Sequence, residues 1–392
     1  MKTIDPKSGV RGNPGIIKLF LAGDVMTGRG IDQILPHPGD PTLYEDYIKD
    51  ARGYVELAEK ASGPVPRPAE PAYIWGEALG ELEKAAVDVR IANLETSVTR
   101  SDNYWKWKEV HYRMNPANID CLTAARIDVY SLANNHVLDW SYEGLKETLA
   151  TLQKANIKSA GAGLTRKEAA APAVVEIEGK GRVIVFAYGS PTSGIHLNWG
   201  ATEYQPGLNL LADFSEDTVR RIRDGIRSVK KENDIIVFSM HWGANWGYEI
   251  KSEEIEFAHR LIESGVDIVH GHSSHHVKSI EVYQDRLILY GCGDFLNDYE
   301  GIPGYENYRT DLGLMYFAAM GRATGGLAEL KMVPTRIKYL RVNRASAEEA
   351  LLLADILKRE GKRFGTEIEL SDDALLTLVL PISQDRQDSA RP

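Results

Sequence analysis

The chain has 392 residues, 43% hydrophobic and 26% charged, the balance of an ordinary globular protein long enough to bury a large core without staples. A formal net charge of −10 argues against nucleic acid and anionic membranes as general partners, but leaves room for an anionic substrate held by a few local Arg or Lys residues. Cys121 and Cys292 are the only cysteines, each in an apolar context, which argues against a disulfide scaffold and a thiolate metal site; any metal must use His, Asp, Glu and Asn.

Residues 1–15 are polar, and residues 16–22 (IIKLFLA) read as a buried strand. Lys18 interrupts that run, which falls far short of the ~20 residues of a membrane span. No basic flank and cleavage site of secretory type accompanies it, so a cytoplasmic protein without a membrane segment is expected. Asp24, in Gly23-Asp24-Val25-Met26, follows the strand. Open α/β sheets place their chemistry at such a point, although a turn Asp capping the next element has the same appearance. Seven prolines fall between residues 36 and 71, broken by a helix-like segment over 43–60; this is either a lid over one face or a solvated loop. Helical spacing returns over 75–86.

A second strand over 87–92 runs into Asn93-Leu94-Glu95. Aromatic and basic residues then alternate over 105–114. That pattern suits an exposed strand with packed Trp residues, or an anion-binding edge in which Arg113 and Lys108 hold a substrate carboxylate. A helix over 116–126 and a strand over 129–133 deliver Asn134-Asn135-His136. These three read as an Asn-rich turn or as part of a binuclear metal site, with Asp139 able to orient His136. A helix over 144–155 carries Leu145, Leu149 and Leu152 on one stripe. Gly161-Ala162-Gly163 lacks both a P-loop Lys and the spacing of a dinucleotide fingerprint. Paired strands over 174–177 and 183–188 flank a glycine turn, and an amphipathic helix over 215–231 precedes a strand over 234–240 that ends on His241.

After a helix over 252–264 and a strand over 266–269 comes His270-Gly271-His272-Ser273-Ser274-His275-His276, which holds four of the ten histidines. Imidazole is the commonest protein ligand for borderline metals, and packing alone does not account for such a cluster. A strand over 287–290 leads to Asp294, again a carboxylate at a strand end. Strands over 314–320 and 327–333, a helix over 346–359 and a hairpin over 367–380 close the chain. Asp24, Glu95, Asn135 with His136, His241, and His272 with His275 thus arrive from separate strands, and one sheet edge can gather them. A hydrolytic binuclear centre needs that inventory: a bridging carboxylate, borderline ligands and open positions for water.

Gly23-Asp24-Val25-Met26, Asn93-Leu94-Glu95, Leu132-Ala133-Asn134-Asn135-His136, His241-Trp242-Gly243 and Gly271-His272-x-x-His275 resemble, in that order, the motif series of the CapA/PgsA poly-γ-glutamate synthesis proteins, variants of the calcineurin-like metallophosphoesterase superfamily. The resemblance runs from about residue 17 to 298, and His111-Tyr112-Arg113 is similar to the family's basic substrate-side stretch. It implies an α/β fold, a four-layer α-β-β-α sandwich of two mixed sheets over 16–340. The helix and hairpin over 341–383 would pack on the same domain, and 384–392 would be a disordered tail. It further implies Asp24 in the first metal motif, Glu95 at the bridging position, Asn135 and His241 as second-site ligands, His136 as general acid, and His272 with His275 as the paired histidines.

The sequence departs from the superfamily pattern in places. Met26 stands at a His position, Glu95 at an Asp position, two residues rather than one separate His272 from His275, and His276 stands where Val is commoner. One or two divalent ions (Mn, Zn, Fe or Mg) are expected. The expected function is metal-dependent hydrolysis or transfer on a γ-glutamyl or peptide-type substrate in capsule metabolism. Phosphoester hydrolysis, metal-dependent peptide epimerisation and a non-catalytic scaffold of a polyglutamate synthase are the alternatives.

Overall fold

The structure is a computed structural model and describes residues 15–380. The expected tail over 384–392, and the end of the 341–383 segment, lie outside the described residues.

Two sheets lie face to face. In the larger, Ile16–Val25 is central and runs parallel to Val89–Leu94, which is parallel to Val129–Ser131, followed by Lys158–Ala160. On its other side come Leu312–Gly321 and Leu327–Lys338, both antiparallel, then the hairpin strands Leu376–Val379 and Glu367–Leu370. In the smaller sheet Gly181–Gly189, Ile235–His241, Ile268–His272 and Arg286–Leu289 are parallel, with antiparallel Ala173–Ile177 and Ile280–Tyr283 at the edges.

The apolar runs of the sequence are continuous because the parallel strands are buried on both faces. Ile17, Leu19 and Leu21 point between the sheets, where they meet Val89, Val129, Val185, Val237 and Ile268. Phe20 and Ala22 point outward into a second core with Trp75, Leu122 and Leu145, from the helices over the larger sheet. The smaller sheet repeats the arrangement. Ile236, Phe238 and Met240 face Val219, Ile222 and Ile226 of helix Glu216–Val229, and Phe257, Ala258 and Leu261 of helix Ser252–Glu263. Helices, sheet, sheet and helices make the four layers expected.

The C-terminal helix Ala347–Gly361 opens on a capping box of Ser346 and Glu349. Its Leu353, Ala354, Ile356 and Leu357 join the core between the sheets.

Three local expectations change. The helix expected over 43–60 is Arg52–Ser62: Asp50 accepts from the Arg52 N–H at 2.9 Å and starts it there, while Leu43 and Ala51 close a separate turn on Lys49 and Pro41. The stretch over 75–86 breaks at Gly76, which has φ +46 and sits so close to the Val342 carbonyl that a Cβ would lie 2.1 Å from it. The alternation over 105–114 forms a strand only at Arg113–Met114; Trp107 takes φ +73 and is 96% exposed, because Lys108 turns inward.

Leu357 is fully buried between the sheets, so Leu357→Ala should cost about 2–5 kcal/mol. Urea denaturation followed by far-UV circular dichroism and by Trp fluorescence reads this; a loss under about 1 kcal/mol, or two separate transitions, would show that the helix is not part of the common core.

Candidate metal centre

Strand register assembles the site. Asp24 pairs with Asp294 across parallel strands Ile16–Val25 and Asp294–Leu296, and with Asn93 on its other side. In the other sheet His241 pairs with His272. Register partners on parallel strands project to the same face about 4.8 Å apart, so these residues meet without any long loop. Gly23 permits the approach, since a Cβ there would lie 1.8 Å from the Gly293 carbonyl, which accepts from the Asp24 N–H at 3.1 Å. Immediately past His272, Ser273 is held at φ +106, a strained value for an L-residue, and its N–H donates to Asp24 Oδ2 at 3.2 Å.

Two groups of ligand-type atoms result, and they share Asp24. One is Asp24, His241 and His272; the other is Asp24, Glu95 and Asp294; within each, one atom per residue lies within 4.8 Å of the others. His241 Nδ1 and His272 Nδ1 face each other at 2.8 Å, and His272 Nδ1 is 3.7 Å from Asp24 Oδ1. Asn93 Nδ2 donates to Asp24 Oδ1 at 2.7 Å, and Asn297 Nδ2 to Asp294 Oδ2 at 2.6 Å, which fixes both carboxylates. All of these side chains are buried.

The electrostatics call for a cation. Burial and the neighbouring Asp294 push Asp24 up to about 7, and burial with Asp24 and Asp294 raises Glu95 well above the usual carboxylate range. Burial holds His241 and His272 well below the usual imidazole value, so both rings are neutral, the form in which they ligate. Two neighbouring cations are committed elsewhere, and His275 faces Asp294. Lys108 is paired with Asp139, and Arg29 with Glu45 and Asp298. Three crowded carboxylates beside neutral imidazoles therefore fit one or two divalent ions.

Next to this centre stands His136. Its Nδ1 is 2.6 Å from Asp139 Oδ2, its ring stacks on Tyr112 at 3.8 Å, and its Nε2 lies 3.8 Å from Glu95 Oε1. Asp139 also accepts from the Tyr112 N–H at 2.6 Å and from Lys108, whose Nζ is 2.8 Å from His136 Nδ1. Burial, helped by Lys108, keeps His136 well below its ordinary value.

Of the residues read from the sequence, Asp24, Glu95, His241 and His272 come together, with His136 and Asp139 alongside. Asn135 borders the imidazole group, its Oδ1 3.1 Å from His241 Nε2. His275 lies outside both groups: its Nδ1 is 3.1 Å from Asp294 Oδ1, and although burial opposes the charged form, Asp294 raises it. Lys108 reaches the centre, but through Asp139 and His136. Arg113 does not reach it; its guanidinium binds Ser101 O, Asp102 and Asp40 O and lies 3.8 Å over the Trp140 ring. Asp294 was missing from the expected ligand set, although its place at a strand end was visible. Met26, at the expected His position, accepts from the Gly28 N–H through its sulfur at 3.1 Å. A cavity of about 780 Å³ is lined at one side by Asn297 and Tyr299, the neighbours of Asp294 and His275.

The chain is similar to several known proteins. A family model described as "Bacterial capsule synthesis protein PGA_cap" matches residues 18–299. The chain is 45% identical over 369 residues to a "Probable polyglutamine synthesis accessory protein" of Mycobacterium tuberculosis, covering 94% of this chain and 97% of that one. It is 27% identical over 285 residues to the "PGA biosynthesis protein CapA" of Bacillus subtilis, covering 72% of this chain and 64% of that protein. Among solved structures, the 5'-nucleotidase precursor of Thermus thermophilus aligns with a TM-score of 0.47 at 15% identity, over 85% of this chain and 55% of that one.

Saturating Mn or Zn should stabilise the folded protein by about 2.7 kcal/mol at a hundredfold excess over Kd, more strongly at pH 8 than at pH 5 because the ligands must be deprotonated. Elemental analysis of the dialysed protein should find bound divalent metal, reduced in His241→Ala, Glu95→Ala and Asp294→Asn while circular dichroism stays unchanged. Full occupancy in any of the three would remove that residue from the ligand set.

Proposed function

The chain belongs to the bacterial capsule synthesis protein family, the CapA/PgsA-like proteins, and from that premise we propose that it is a metal-dependent enzyme that cleaves or transfers at a γ-glutamyl or peptide-type bond. The observation that carries the proposal is the pair of ligand groups sharing Asp24, with the His136 Nε2 atom 3.8 Å from Glu95.

Asp24, His241 and His272 would hold one ion, and Asp24, Glu95 and Asp294 a second. When bound, such ions supply Lewis acidity toward a substrate oxygen and lower the pKa of water in the site. The chain's own residues supply the rest. Asp139 accepts from His136 Nδ1–H, which leaves the lone pair of the neutral ring on Nε2, facing the centre. His136 therefore takes a proton at Nε2 first and returns it to the departing group, the order that hydrolysis of an amide requires. Lys108 and the Tyr112 N–H fix Asp139 in place, and Tyr112 fixes the plane of the imidazole. The names of the relatives in polyglutamine and PGA biosynthesis support a glutamyl chain as the substrate.

Hydrolysis of phosphoesters is the second reading, favoured by two ligand groups joined through one carboxylate, an arrangement that can clamp an attacking and a leaving oxygen together.

A synthetic γ-glutamyl oligomer incubated with Mn-loaded protein should shorten, with one water gained per cut by mass spectrometry, and His136→Ala should slow this about 10²–10⁴-fold. Turnover of an aryl phosphodiester without oligomer cleavage would favour the second reading. Fully metal-loaded protein that cleaves neither would overturn both.

A further inference from the structure

Behind His272 runs a chain of hydrogen bonds whose direction is set by its chemistry. It starts at the Ala22 carbonyl, on the central strand of the larger sheet. A carbonyl only accepts, so His270 Nε2, 2.8 Å away, carries a proton. The His270 ring is fully buried and, among the described residues, bonds only to Ala22 and Ser239, so it is the neutral imidazole and its Nδ1 holds a lone pair. Ser239 Oγ, 3.2 Å from that nitrogen, gives its single proton there. The same oxygen then only accepts, and its other neighbour, His272 Nε2 at 2.9 Å, is the donor. The proton of His272 is thereby placed on Nε2, and the lone pair on Nδ1 points at His241 and Asp24.

Ser239 and His270 are register partners on adjacent strands of the smaller sheet and interrupt two otherwise apolar runs, IIVFSMH and IVHGH. Both are 0% exposed, in positions where an aliphatic residue would pack without the cost of desolvating a hydroxyl and an imidazole. We propose that Ser239 and His270 are positioning residues that lock His272 in its Nε2–H tautomer, so that Nδ1 is the atom offered to a divalent ion. The proposal rests on the metal reading above: Asn135 Oδ1 accepts from His241 Nε2–H, so the His241 lone pair also sits on Nδ1, and two Nδ1 lone pairs 2.8 Å apart call for a cation between them.

Long-range ¹H–¹⁵N spectra of the Zn-loaded protein, with His272→Gln to assign the signal, report the tautomer directly. The wild type should show a protonated Nε2 and an unprotonated Nδ1 at His272, and Ser239→Ala should show a mixture. In calorimetric titration with Mn or Zn, Ser239→Ala should bind about 10–100-fold more weakly, and Ser239→Thr, which keeps the hydroxyl, should recover most of that loss. A wild-type His272 protonated on Nδ1, or a Ser239→Ala variant with unchanged tautomer and affinity, would overturn the proposal. The wild-type spectrum decides the point even where Ser239→Ala does not fold. A wild type that takes up neither ion would overturn the metal reading and the proposal with it, whereas one that takes up Zn through His272 Nε2 would overturn the proposal alone.

Discussion

Three carboxylates buried side by side are the constraint on which the rest of this structure depends. An isolated ionised carboxylate in a protein interior costs several kcal/mol, and Asp24, Glu95 and Asp294 are placed where each raises the cost of the others. A fold built only for stability would pair them with Lys or Arg. Here Lys108 is paired with Asp139 and Arg29 with Glu45 and Asp298, while His275 faces Asp294. What holds the three together is backbone: the pairing of Asp24 with Asp294, the Gly23 contact that lets those strands touch, and the strained Ser273 that turns its N–H onto Asp24. That scaffold holds the three carboxyl groups side by side although burial and their mutual repulsion push Asp24 up to about 7 and Glu95 well above the usual range.

The two groups around Asp24 differ in chemistry. One adds two neutral imidazoles to the shared carboxylate, and the other adds two further carboxylates. Imidazole suits Zn, Fe or Mn, while an all-oxygen set suits harder ions such as Mg or Mn. The resemblance places a His at position 26, and the Met26 found there turns its sulfur to the Gly28 N–H. Asp294, on a strand laid parallel to the first, gives the second group its third carboxylate.

The sequence made the ligand-bearing strands legible because each is buried on both faces and so reads as an unbroken apolar run ending in a polar residue. Asp24, Glu95, His241 and His272 were found by that rule. Asp294 obeys it too, but its pairing with the first strand spans only two register partners, and no periodicity announces so short a contact. Arg113 and Lys108 lie on another kind of stretch. Alternation over 105–114 suggested which side chains share a face, yet Trp107 at φ +73 breaks the alternation, and the Arg113 guanidinium is drawn over Trp140 by contacts distant in sequence. Ser239 and His270 were visible as polar interruptions, but the direction of their hydrogen bonds exists only once Ala22 of the other sheet lies against them.

The candidate ligands and His136 sit on different kinds of support. Asp24, His241, His272 and Asp294 stand on paired strands, whose spacing the hydrogen-bond ladders fix. His136 and Asp139 stand on the turn after Val129–Ser131, and Lys108 on the loop before Arg113–Met114. That outer layer has its own brace. Arg29 lies 4.9 Å from the ring of Tyr112, which stacks on His136, and is anchored by Glu45 and Tyr54 of the proline-rich excursion and by Asp298 beyond the second ligand group. The 36–71 excursion is therefore tied through one guanidinium to Tyr112, the ring stacked on His136. The candidate ligands thus lie in the sheets, where register tolerates little change, and His136, Asp139 and Lys108 in the more variable kind of element, the loops.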